Sequence, residues 1–177
     1  MNRSLDLNAD LAESFAVYGY GADSEIMPLI TSANVACGFH AGDPRVIQQA
    51  VELAAAHDVR IGAHVGLPDR LGFGRRVMDI SPEDAYAYTL YQIGALDGFL
   101  RPHGITMTHV KPHGALYMMV SSDALLADSV AAAIAAFDQR LFVYALPASQ
   151  LATAAGRRGL AVIPEFFADR PYTGTDV

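Results

Sequence analysis

Six short apolar runs punctuate the chain: Leu5 to Asp10, Ala33 to Phe39, Val59 to Val65, Ile105 to Lys111, Leu141 to Leu146 and Leu160 to Pro164. Each is short enough for a strand and bounded by polar or glycine-containing segments. Side chains alternate faces along a strand, so Leu5, Leu7 and Ala9 share one side of the first run and Asp6, Asn8 and Asp10 the other. Ile61, Ala63 and Val65 likewise oppose Gly62 and His64, while Thr106, Thr108 and Val110 oppose Met107, His109 and Lys111. In four of the runs, polar side chains thus share a face near the C-terminal end.

Helical segments separate the runs. Asp23 to Ile30 is a short candidate. Asp43 supplies an N-cap oxygen and Pro44 a first helical residue, predicting a helix to about His57 with Val46, Ala50, Leu53 and Ala54 on one face. Ser81 and Pro82 repeat that signal for a helix to about Leu100. Ser122 is the expected cap of a helix through Phe137, and Leu151 to Arg158 forms the last. Strands alternating with helices predict a parallel sheet with crossover connections. Six such units suit an α/β fold of the (β/α) barrel type, whose polar strand ends converge on one rim. A closed eight-stranded barrel takes about 250 residues, so the sheet is open, the barrel has fewer strands, or the chain is a shortened form.

The 177 residues fit a single domain, 52% hydrophobic with a mean hydropathy of +0.23. No stretch reaches the ~20 apolar residues of a membrane span, because His57, Asp58, Asp128 and Asp138 break the alanine-rich runs. The N-terminus lacks the basic-then-apolar pattern of a secretory signal, and a cytoplasmic location is expected. The lone cysteine, Cys37, excludes an intramolecular disulfide. A net charge of −7 with 12 lysines and arginines gives no general footprint for nucleic acid.

Candidate chemistry gathers at the strand ends. His40, His64, His109 and His113 lie in or just beyond strands, whereas His57 and His103 follow helices, where favourable interaction with the helix dipole suffices. Asp6, Asp10 and Glu13 supply three carboxylates within eight residues, and inside a barrel they need partners, for which His64, His109 and Lys111 are candidates. Cys37 reads as a small buried hydrophobe, with a nucleophile as the alternative. Arg75 and Arg76, in a glycine-rich loop expected to be flexible, form a potential clamp for a carboxylate or phosphate. Lys111, His113 and Tyr117 aim different chemistry at one volume across a turn stiffened by Pro112 and Gly114. Standard metal and nucleotide motifs are absent, but Asp10, His40 and His64 are candidate ligands for zinc or manganese drawn from distant segments.

Taken together, Asp6 to Ser14, Ser32 to Pro44, Gly62 to His64, Gly72 to Arg76, Tyr91 to Leu96, His109 to Tyr117 and Phe167 to Arg170 resemble the LamB/YcsF family of 5-oxoprolinase subunits over nearly the whole chain. The family more often has cysteine and glycine where this chain has Ala9 and Ala12, an aromatic at Leu67 and asparagine at Met118. The resemblance implies a seven-stranded barrel of the glycoside hydrolase/deacetylase type, here a single domain over residues 1–177 lacking its last β/α unit.

It also implies a subunit that works with two others to open 5-oxoproline to glutamate, with ATP as co-substrate, accompanied by Mg2+ and bound by this subunit or its partners. A homo-oligomer is compatible with it. On that basis Asp10, Glu13, His64, Lys111 and His113 are the expected catalytic residues. Asn8, Asn34, His40, Arg75, Arg76 and Tyr117 are the expected substrate-binding ones. Two alternatives stand beside it: a stand-alone metal-dependent deacetylase or amidohydrolase, and a non-catalytic lactam-binding subunit.

Overall fold

The alternation of apolar runs and capped helices folds into one parallel sheet. The computed structural model describes residues 5–168. Strands β1 (Asn8–Leu11), β2 (Ser32–Ala36), β3 (Arg60–Val65), β4 (His109–Pro112), β5 (Phe142–Ala145) and β6 (Ala161–Pro164) are hydrogen-bonded neighbours in chain order, every pairing parallel. Between them run α1 (Asp23–Ile26), α2 (Pro44–Ala56), α3 (Pro82–Leu100), α4 (Gly114–Ser122), α5 (Ala124–Phe137) and α6 (Gln150–Arg157). No single helix among the described residues is long and apolar enough to cross a membrane.

Several boundaries differ from expectation. The second strand ends at Ala36 rather than Phe39, because Gly38 adopts a positive φ of 96° and donates its N–H to Ala41 in a turn. The fourth begins at His109 rather than Ile105. The helix expected from a Ser122 cap is two helices: Ser122 ends α4, and Asp123 caps α5 by accepting the N–H groups of Leu125 and Leu126 at 2.8 and 3.0 Å. Asp43 and Ser81 cap as expected, the latter in a reciprocal box with Asp84. The buried face of α2 is Ile47, Ala50, Val51 and Ala54, with Val46 and Leu53 at its border.

Apolar residues on the outer faces of the strands, among them Val35, Ile61, Val65, Val110 and Val143, pack beneath the helices. Helix α3 lies on α5 and α5 on α6. The inner faces are polar. Lys111 on β4 reaches Asn8 and Asp10 on β1, with Nζ 3.1 Å from an oxygen of each. In a flat sheet those strands, three spacings apart, would be separated by roughly 14 Å, further than a lysine side chain extends. The sheet therefore curls so that β1 faces β4 and β5, which is barrel curvature.

Inner residues are stacked in layers. At the bottom, the Asp6 carboxylate accepts hydrogen bonds from Thr31 and Ser32 at 2.6 and 2.7 Å, from Arg60 at 2.6 Å, and from the Tyr144 hydroxyl. Above it, Asn34 donates to Asn8 and Asp10 at 2.7 and 2.8 Å, and its carbonyl oxygen accepts from His109 Nε2 at 2.8 Å. The His109 ring stacks on Tyr144, centroids 4.3 Å apart, and lies directly over Gly62 of β3. A Cβ on Gly62 would sit 2.2 Å from that ring.

This layer can be probed by mutation and by pH. Gly62→Ala should lower stability by about 1–3 kcal/mol through overpacking, seen as a lower urea midpoint at unchanged m-value. Burial pushes the His109 imidazole down to about 3 from its usual 6.5. The folded state therefore binds fewer protons than the unfolded chain between those values. Stability should fall as pH drops through that window, by up to about 1.4 kcal/mol per pH unit for this group. Urea midpoints at about pH 7 and 5 measure the slope, to which the lowered His40 and His113 also contribute, and His109→Gln should reduce it by the share of one group.

Candidate active site

The upper rim is built from strand ends and the loops that follow them. After β1, Ala12 takes a left-handed conformation with φ 60°, fixed by donation of its N–H to Asp23 at 2.9 Å, and the chain turns so that Glu13 enters the rim. After β2, the turn at Gly38 brings in His40. After β3, Gln92 of α3 clasps both backbone groups of Gly66 at 2.9 Å and anchors the strand end. The loop beyond is tied down rather than flexible: Phe73 and Gly74 accept hydrogen bonds from His113 Nε2 at 2.7 Å and from the Ala115 N–H at 2.9 Å. Gly74 has a positive φ of 64°, and a Cβ there would press on His40 and His113 at 2.7 and 2.9 Å.

Three imidazoles and a carboxylate meet at this rim. His40 stacks on His113 with centroids 3.7 Å apart and rings 4° from parallel, and His64 stands edge-on to both. Glu13 Oε1 lies 3.2 Å from His40 Nε2, 3.4 Å from His113 Nδ1 and 3.9 Å from His64 Nε2. His64 Nε2 is 3.0 Å from His113 Nδ1 and 3.3 Å from Asp10 Oδ2. Burial, reinforced by the neighbouring imidazoles, holds His113 down to about 3 and His40 well below its usual value. Both rings are neutral near pH 7. Burial raises the Glu13 carboxyl despite His64 and His113.

Beside this cluster, Lys111 Nζ pairs with Asp10 Oδ1 at 3.1 Å and Glu165 Oε1 at 2.7 Å. Burial would depress the ammonium, but the two carboxylates outweigh it and the pKa rises. For Asp10, burial is again the largest influence, yet His64, Lys111 and Asn34 together hold the carboxyl well below its ordinary value. Tyr117 donates its hydroxyl to Glu165 at 3.1 Å.

These groups border an open cleft of about 410 Å³, lined by Asp10, His64, Arg75, Lys111, His113 and Tyr117 with apolar neighbours including Val77 and Phe167. Asn8, Asn34 and His40, expected at the substrate, do not line it. The two asparagines sit beneath it, binding Lys111 and His109, and His40 lies against His113. Arg76 is likewise outside the lining, its guanidinium bonded to Asp69. Arg75 lines the cleft and makes no ion pair among the described residues.

The expected ligand trio of Asp10, His40 and His64 is regrouped. The donor atoms that converge within 4.8 Å belong to Glu13, His40, His64 and His113, and Asp10 reaches only His64 among these imidazoles. Cys37 is buried, which pushes its thiol up to about 12, the opposite of what a nucleophile requires. The sequence reading missed Glu165 and Tyr144. Glu165 immediately follows β6, so the rule that singled out the other strand ends applies to it as well. Asp169 and Arg170 of the Phe167 to Arg170 motif lie outside the described residues.

The chain is 56% identical over 170 residues to the type-A 5-oxoprolinase subunit of Symbiobacterium thermophilum, covering 96% of this chain and 65% of that protein. It is 55% identical over 168 residues to the protein of the same name from Bacillus subtilis, covering 95% and 65%. The chain thus spans about two thirds of the length of these curated relatives. The crystal structure of a lactam utilization protein from Thermus thermophilus superimposes with a TM-score of 0.95 at 49% identity, over 98% of this chain and 70% of that one. The LamB/YcsF family model matches residues 5–176, and the chain belongs to that family.

Proposed function

We propose that this chain forms the lactam-handling part of a 5-oxoprolinase, which opens 5-oxo-L-proline to L-glutamate with ATP as co-substrate and with partner subunits. The names of its relatives support a subunit role. The observation that carries the reading is the cleft itself, which brings the cations of Arg75 and Lys111 and the imidazoles of His64 and His113 to one small volume. 5-Oxoproline has the matching poles, a carboxylate and a cyclic amide.

Resonance makes an unstrained amide a poor electrophile, and phosphoryl transfer from ATP to the lactam oxygen would activate the carbonyl carbon: water adds, the ring C–N bond breaks as its nitrogen takes a proton, and hydrolysis of the resulting acyl phosphate releases glutamate and phosphate. This chain's residues then have separate tasks. Arg75, exposed at the mouth and without an ion-pair partner among the described residues, holds the substrate carboxylate. Lys111, kept cationic by Asp10 and Glu165, stabilises negative charge on the reacting oxygen. His64 donates its Nδ1 proton to the Lys111 carbonyl at 2.9 Å, leaving Nε2 free to take a proton from attacking water. Asp10, 3.3 Å from that nitrogen, stabilises the imidazolium that forms.

The test is ATP-dependent glutamate release by the full-length protein reconstituted with its partner subunits. His64→Gln should lower kcat by about 10²–10⁴-fold, and Arg75→Ala should act mainly by raising KM. Wild-type turnover in both variants would refute the assignment. Thermal melts check that each variant remains folded.

A further inference from the structure

The rim cluster of Glu13, His40, His64 and His113 has an imbalance of donors and acceptors. His64 Nδ1 faces the carbonyl of Lys111 at 2.9 Å, and His113 Nε2 faces the carbonyl of Phe73 at 2.7 Å. A carbonyl oxygen only accepts, so each outer nitrogen carries the ring proton. Each ring that carries only that proton presents a lone pair at its inner nitrogen, His64 Nε2 and His113 Nδ1, and these point at each other across 3.0 Å.

The surrounding atoms make this worse. Glu13 Oε1 stands 3.4 Å from one nitrogen and 3.9 Å from the other, and Asp10 Oδ2 stands 3.3 Å from His64 Nε2. Both carboxylates are acceptors when ionised. The nearby ammonium of Lys111 is directed instead to Asn8, Asp10 and Glu165. His40 adds a third ring whose Nε2 lies 3.2 Å from Glu13, and its Nδ1 is buried without a hydrogen-bond partner among the described residues. The arrangement calls for a cation at its centre.

We propose that Glu13 Oε1, His40 Nε2, His64 Nε2 and His113 Nδ1 bind one divalent first-row metal ion, zinc or manganese by ligand type. Three imidazoles and one carboxylate are borderline donors suited to those ions. Imidazole ligands typically donate their other ring N–H to a carbonyl or carboxylate, which orients the ring and fixes its tautomer. His64 and His113 already have that support. The four donor atoms lie within 4.8 Å of one another, and the pairs at 3.0, 3.2, 3.4 and 3.9 Å bracket the about 3.4 Å that separates donors held tetrahedrally at about 2.1 Å. A single proton is the poorer solution, since it would create a buried imidazolium in contact with two further imidazoles. His64 and His113 also line the cleft, which gives an ion a route in. When bound, such an ion supplies Lewis-acid polarisation of a carbonyl oxygen.

This goes beyond the lactam reading and competes with it at one atom: an ion held by His64 Nε2 leaves that nitrogen no lone pair to take a proton from water, so the site and the base role given to His64 exclude one another, and binding is read without substrate. Full-length protein is stripped with a chelator, dialysed against Zn(II), Mn(II) or Co(II), and analysed for retained metal and, with cobalt, for visible ligand-field absorption. The expected result is one ion per chain, with affinity reduced about tenfold or more by Glu13→Gln and by His113→Ala and unchanged by His57→Ala, an exposed histidine at the end of α2. Should His113→Ala fail to fold by circular dichroism, the near-isosteric Glu13→Gln decides. Failure of the wild-type protein to retain any of the three ions, or binding indifferent to the Glu13 and His113 changes, would overturn the site. Metal binding that persists when glutamate release is absent would uphold it and count against the lactam reading alone.

Discussion

An ammonium buried inside a sheet-lined interior is the constraint around which this molecule is organised. Lys111 is 5% exposed, and an unpaired cation at that depth would cost several kcal/mol. Its neutralisation draws on both ends of the described sheet: Asp10 from β1 and Glu165 from just beyond β6. These contacts exist only because the sheet curls. Apolar packing of the helices against the outer face favours a layered fold, but it does not specify which strands should face one another across the interior. The charges do. Asn8 and Asn34 complete the arrangement by giving Lys111 and Asp10 further hydrogen bonds, so that polar groups paired inside the barrel replace the apolar filling seen in many barrels of this class.

A second network, of imidazoles, rests on the first through Asp10. One of its oxygens bonds Lys111 and the other approaches His64, so the carboxylate couples the charge layer to the rim. Shared groups of this kind make the two layers respond together, and substitutions within them will not be additive. His64 lies within β3, whereas Glu13, His40 and His113 come from segments that follow strands, and those segments are fastened to rigid elements. Gln92 holds Gly66, Asp23 holds Ala12, and Phe73 is held by His113 itself. That division, with a packed sheet beneath and fastened loops above, lets the cleft stay open while its lining keeps its geometry.

Much of this was legible in the sequence for a simple reason. Strand alternation is local, so the pattern in Asp6, Asn8 and Asp10 or in His109 and Lys111 already assigned those residues to one face. The parallel sheet followed from the helices interposed between runs. What local pattern does not contain is the distance between strands. Nothing in the sequence said that Asp6 would serve the floor with Tyr144 while Asp10 served the rim, or that Arg76 would turn to Asp69 and leave Arg75 at the cleft. The α4 helix was hidden for a different cause: Pro112 and Gly114 read as a turn, and His113 at its N-cap makes no side-chain capping bond to announce a start. Glu165 was overlooked because the last strand was read only to its apolar end.

Two departures from the family pattern separate backbone demands from chemical ones. Ala12 stands where the family more often has glycine, and its φ of 60° explains that preference without any role in the reaction. An L-residue in this conformation costs roughly 1–2 kcal/mol. Here the hydrogen bond to Asp23 and complete burial of the methyl group offset that strain, and Glu13 still reaches the histidines. Met118, where the family more often has asparagine, lines the cleft and is 43% exposed, while the neighbouring Tyr117 finds its partner in Glu165 without help from it. The first position is therefore constrained by the direction the chain must take, and the second by little in the underlying fold. A change at Ala12 to a bulkier or β-branched residue would act through the backbone, because it would move the carboxylate that three imidazoles share.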